Sequence, residues 1–119
     1  MSQNFQAGDF LIFQVESGYG LLRILAIDEV DGEKVWHLAA YNELFLDVET
    51  ADAALAFTQT LTISIPHVAL TNRAFEATQV ARMSNVSLND AEIKPLNIWR
   101  NDSNAKILDS SIRLMMGLR

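Results

Sequence analysis

The chain contains no cysteine. That absence excludes a disulfide framework, a thiolate zinc site and a cysteine nucleophile together. Apolar runs are short, a few residues each, against the roughly 20 that a membrane-spanning helix needs. The opening Met1-Ser2-Gln3-Asn4-Phe5-Gln6 has neither a basic segment nor an apolar core, so a secretory leader is not expected and the cytoplasm is the expected compartment. In that setting the glycosylation-type triplets Asn85-Val86-Ser87 and Asn101-Asp102-Ser103 are read as chance. Bases are scarce in the first half. Residues 1–60 hold ten acids against Arg23 and Lys34, a net of −8, whereas residues 61–119 hold five acids against seven bases, a net of +2, and the halves sum to −6. Phosphate backbones need clustered Lys and Arg, so nucleic acid is not an expected partner.

Catalytic patterns are missing too. No serine stands in a Gly-x-Ser-x-Gly elbow. Gly18-Tyr19-Gly20 lacks the later glycine and lysine of a phosphate loop and leads into a strand, so it reads as a turn. His37 and His67 are the only histidines, lie on separate elements and lack carboxylates at ligand spacing, so both read as structural. These readings predict no enzyme, no metal and no cofactor.

What is present is apolar. Hydrophobic residues make up 50% and charged residues 20%, and the mean hydropathy is +0.11. That composition and length fit one folded domain over residues 1–119, with some apolar surface left for an oligomer or a partner. Phe10 to Val15, Tyr19 to Ile27 and Lys34 to Tyr41 read as three strands. Asp31-Gly32 supplies the primed hairpin turn between the last two. Simple alternation puts Leu22, Ile24 and Ala26 on one face of the second strand, with Leu21, Arg23, Leu25 and Ile27 on the other. Thr50 to Ala56 predicts a short helix capped by Thr50. Leu61 to Ile65 alternates as a strand that Pro66 ends or places at an edge, and Thr78 to Val86 is a weaker strand candidate. Pro95 bars a helix through its own position and biases Lys94 toward extended backbone. Asp102 or Ser103 caps a helix over Ala105 to Met116, which Gly117 stops. The expected fold is α+β and β-rich: a small SH3-like or half-open antiparallel barrel with one or two short helices, including the C-terminal one.

Two surfaces stand out. Asp28, Glu29, Asp31 and Glu33 crowd the second hairpin. Loop spacing supports neither a glycosidase-type carboxylate pair nor a calcium site, which leaves a solvated tip or a contact patch for a basic partner. Trp36 and Tyr41 suit such a patch as anchors but suit a core equally well, so the core is their default reading. In the terminal stretch, Ile112, Leu114, Met115, Met116 and Leu118 are apolar on more than one helical face, which fits either packing on the barrel or a surface for a homodimer or another partner.

The opening Gly8-Asp9-Phe10-Leu11-Ile12-Phe13, the step Gly18-Tyr19-Gly20 with its apolar continuation, and the aromatic strand ending at Tyr41-Asn42 resemble the immunity protein 26 type of bacterial toxin-neutralising proteins. The stretch from Val80 to Arg100, with Asp90, Pro95 and Trp99, is similar to that family's C-terminal half. The chain departs from the family at Phe75-Glu76-Ala77-Thr78 and in the apolar tail from Ile107 to Leu118. The resemblance implies a stoichiometric inhibitor that covers the catalytic domain of a basic toxin. A homo-oligomeric scaffold and a small-ligand-binding barrel are the competing readings.

Overall fold

A computed structural model describes residues 4–118; Met1, Ser2, Gln3 and Arg119, the ends of the polar lead and of the apolar tail, lie outside the described residues. The elements are β1 (Asp9–Val15), β2 (Gly18–Val30), β3 (Glu33–Phe45), α1 (Val48–Ala54), a 3-10 segment (Leu55–Thr60), β4 (Ile63–Thr71), α2 (Asn72–Glu76), β5 (Val80–Asn85), α3 (Asp90–Arg100) and α4 (Ile112–Met115). The strands form one open antiparallel sheet in the order β4-β3-β2-β1-β5. The fold is α+β and strand-rich, with few and short helices. No helix among the described residues is long and apolar enough to cross a membrane.

The meander follows the local chemistry. Asp31 (φ 53°) and Gly32 (φ 82°) take the left-handed conformations that a primed two-residue turn requires. Gly18-Tyr19-Gly20 is the start of β2, not a turn. Its second glycine serves packing, because a Cβ on Gly20 would lie 2.6 Å from the Phe13 ring. Both sheet faces are covered, so β1 to β3 are apolar on both sides. On one face Leu11, Phe13, Leu22, Ile24, Trp36, Leu38 and Leu70 pack against α2, Ile112 and Phe5. The other face splits between Phe10, Ile12, Leu21 and Tyr41 under Ala51 of α1, and Leu25 and Ala39 under Leu96 of α3.

One irregularity sets the later geometry. Ile24 pairs with Leu38, but Ala26 pairs with His37, so β2 carries an extra residue at Leu25. Beyond this bulge the strand's alternation is inverted. Ile27 joins the Trp36 face, while Ala26 and Asp28 join the His37 face.

Several helix boundaries differ from expectation. The N-cap of α1 is Asp47, whose carboxylate accepts from Thr50 N (2.7 Å) and Thr50 Oγ1 (2.6 Å), so Thr50 lies inside the helix. β4 does not end at Pro66 but runs on to Thr71 along the sheet edge, with irregular register beside the proline. α3 passes through Pro95. Its start is fixed firmly by a capping box between Asn89 and Glu92, and Ala91, whose carbonyl loses its helical donor to the proline, is exposed where water can replace it. The helix expected over Ala105 to Met116 is confined to Ile112–Met115, capped by Ser111. Leu108 instead adds to the edge of β4, accepting from Thr71 N (3.0 Å) and donating to Ala69 O (2.8 Å). Asp102 caps no helix; its side chain accepts from Asn104 N in a local turn.

Candidate functional site

The hairpin acids divide. Glu29, Asp31 and Glu33 are exposed around the turn, but Asp28 is turned toward α3 and is ion-paired with Arg100. Trp36 is only 4% exposed, stacked on Phe75 with ring centroids 3.8 Å apart, and its indole N–H donates to Asn72 Oδ1 at 2.9 Å. Tyr41 is buried near Phe10, and that burial pushes its hydroxyl up to about 12. Both aromatics are core residues in the free chain and present no accessible anchor. Of the C-terminal apolar residues, Ile112 is buried and Met115, Met116 and Leu118 pack on the Trp36 cluster, leaving Leu114 exposed at 71%.

The sheet gathers a polar centre that no local motif announced. The bulge in β2 brings Asp28 to the His37 face as its diagonal cross-strand neighbour, and β4 places His67 on the other side of His37. Asp28 Oδ2 lies 2.9 Å from His37 Nε2, and His37 Nδ1 lies 2.9 Å from His67 Nε2. The last turn of α3 closes over them. Arg100 donates to both oxygens of Asp28 at 2.7 and 3.0 Å. Trp99 meets His37 at a steep angle with centroids 5.0 Å apart, lies 5.6 Å from His67, and donates its N–H to Lys106 O. His37 is fully buried and His67 half-buried.

The charge states follow from these contacts. Burial works against the Asp28 charge, but hydrogen bonds from Arg100 and His37 outweigh it and hold the carboxyl below its ordinary range. Burial lowers His37, and the opposing bond to Asp28 only partly offsets it. Burial, then the charges of His37 and Arg100, bring His67 down to about 4. At neutral pH the carboxylate is therefore ionised and both rings are neutral. One proton arrangement then satisfies both bonds: His37 Nε2–H donates to Asp28, and His67 Nε2–H donates to His37 Nδ1. The free lone pair of the chain is left on His67 Nδ1. Two histidines and a carboxylate bonded to one another in this way are not a gathered ligand set, and no group of three metal-ligating side chains occurs among the described residues.

A second polar centre anchors the start of α3. Arg23, 2% exposed, lies over the Phe10 ring and forms an ion pair with Glu92 at 3.1 Å while donating to Gly8 O. One residue before Phe10, the buried Asp9 carboxylate accepts from Gln6 N (2.7 Å) and Asn85 Nδ2 (2.8 Å). The Gly8-Asp9 opening thus closes the N-terminal turn.

Two surface features remain. An open groove of about 1450 Å³ runs between the β2–β3 hairpin and α2. On its rim Arg73 pairs with Asp109, Asn72 bonds Glu76, and Lys34 Nζ lies 5.6 Å from the Trp36 ring centroid. At the opposite end of the sheet, residues 43–63 expose Leu44, Leu46, Val48, Phe57 and Ile63, with Leu46 at 87% and Phe57 at 60%. The same segment carries Glu43, Asp47, Glu49 and Asp52, and no Lys or Arg occurs between Lys34 and Arg73.

No family model matches the chain, and neither the curated proteins nor the solved structures searched contain a match.

Proposed function

We propose that the chain is a non-enzymatic protein-binding domain that docks a basic partner, as an immunity protein of the immunity protein 26 type does when it covers a toxin's catalytic domain. The carrying observation is the segment from 43 to 63, where exposed apolar side chains stand among acids with no base nearby. Apolar anchors that lose water on contact dominate interface energy, and a surrounding field of one sign selects and orients a partner of the other. The acids are held in place. Asp47 caps α1, and Glu43 accepts from both Thr62 N (2.8 Å) and Thr62 Oγ1 (2.6 Å), which keeps it ionised despite some burial. Glu29, Asp31 and Glu33, at the other end of the sheet, add to the net negative charge that attracts a basic partner at long range. The meander with β5 returning to β1 is in this reading the strand order of a half-open, SH3-like barrel.

The C-terminal stretch offers less to a homodimer, since most of its apolar side chains are turned into the core. The groove offers less to a small ligand, since it is open and Arg73, Asp109 and Glu76 on its rim already have partners.

The test uses a purified basic toxin domain encoded beside this gene, size-exclusion chromatography and light scattering. The expected result is a one-to-one complex weakened by salt, lost on Leu46→Asp with Phe57→Asp, and formed more slowly on Glu29→Lys with Asp31→Lys. Absence of a complex, or one indifferent to all four substitutions, overturns the reading.

A further inference from the structure

α3 is fastened to the sheet in an unusual way. Leu96 is its only fully buried side chain, packed against Leu25 and Ala39, while Ile98 is 62% exposed. The rest of the attachment is polar and concentrated at the two ends. Arg23 and Glu92 hold the first turn, and the Asp28–His37–His67 chain with Trp99 and Arg100 holds the last. Pro95 lies between, where the helix lacks one of its own hydrogen bonds.

We propose that the His37–His67 pair is a proton-binding site, and that filling it releases the C-terminal half of α3 and the following loop to residue 106 from the sheet. The groups that face the pair are Asp28 from β2 and Trp99 and Arg100 from α3, with His37 on β3 and His67 on β4. Asp28 is the one anion among them and is already shared between His37 and Arg100. A proton enters at His67 Nδ1, the free lone pair, and adds a second cation beside Arg100 without a second carboxylate to balance it. Arg100, half-exposed at a helix end, is the partner that leaves at least cost, because water solvates it readily. Trp99 moves with it. The pair of Arg23 and Glu92 lies at the other end of the helix, with Arg23 buried, so the first turn stays docked and the helix opens about Pro95.

The linkage runs in the same direction. Docking holds both rings below the ordinary histidine value of 6.5, so the released state binds protons more tightly and acid favours it. This inference is independent of what the acidic face binds.

Native-state hydrogen exchange of the full chain tests it, at pH 7.5, 6.0 and 5.0, with each rate corrected for intrinsic chemistry. Corrected exchange of amides 96–106 is expected to rise by about tenfold or more between pH 7.5 and 5.0, while β2, β3 and the first turn of α3 keep their protection. His67→Gln, neutral at every pH, is expected to keep protection at pH 7.5 and to remove the acid response. If that variant does not fold, the wild-type ring nitrogens report the same event, with His67 Nδ1 gaining its proton over the pH range in which 96–106 open. Three outcomes overturn the proposal: corrected exchange that ignores pH, an acid response that survives in His67→Gln, and loosening that spreads evenly over the chain.

Discussion

The two ends of α3 solve one problem with different chemistry. At the first turn, a buried arginine meets a carboxylate 3.1 Å away. At the last turn, a half-exposed arginine shares a carboxylate with a pair of neutral rings. The first is costly to break because it strands a charge in the interior. The second is cheap to break because its cation faces water and its rings accept protons. The contrast teaches that burial decides whether a polar clasp is permanent or conditional.

The largest expected effect breaks the permanent side. Glu92→Gln leaves Arg23 buried without a counter-ion, and we expect a loss of about 3 kcal/mol in denaturant unfolding. Leu96→Ala removes the apolar contact between the ends and should cost roughly 2–4 kcal/mol by the same measurement. It should also amplify the acid response of the far end, since less holds the helix down. The pH profile separates the two ends directly. Both histidines sit below 6.5 when folded, so the unfolded chain takes up more protons, and stability is full above that value and declines as pH falls toward about 4. Thermal melts from pH 7.5 to 4.5 should show this decline, and His67→Gln should flatten it. Arg100→Gln sharpens the comparison with the smallest effect, about 0.5 kcal/mol or less at pH 7.5. Without that cation beside the pair, the acid limb of its melting curve should shift to lower pH.

Much of the sheet was legible because its signals are local. Alternating apolar residues and an Asp-Gly turn determine β1 to β3 within thirty-odd positions, and the weak strand before Asn85 also formed. The polar centre was not legible, for three physical reasons. Asp28, His37, His67 and Arg100 are joined only by strand register and by the path of a helix, neither of which is written in spacing. Strict alternation assigns Asp28 to the Trp36 face, and one bulged residue at Leu25 reverses that. Pro95 argued against a helix there at all, although a capping box two turns earlier outweighs it. Exposure decides between core and anchor for the aromatics. Trp36 and Tyr41 have the chemistry of anchors but lie beneath neighbours, as their core reading expects, whereas Leu46 and Phe57, in a segment with ambiguous local signals, stand in solvent. At the C-terminus the helical spacing was real, yet the open edge of β4 competed for the backbone of Leu108 and won.

The base-free stretch of the chain also governs how a protease meets it. Trypsin cuts after Lys and Arg, so no cleavage site lies between Lys34 and Arg73, a stretch that includes α1 and all of β4. Arg23 is buried, and the bond after Lys94 is shielded because Pro95 follows. Arg100 and Lys106, by contrast, flank the segment that α3 holds against the sheet, and both are exposed. In a brief tryptic digest, cleavage at Arg100 and Lys106 therefore reads the end of α3 beside the exposed strand and helix sites at Lys34, Arg73 and Arg82, while the acidic face stays uncut.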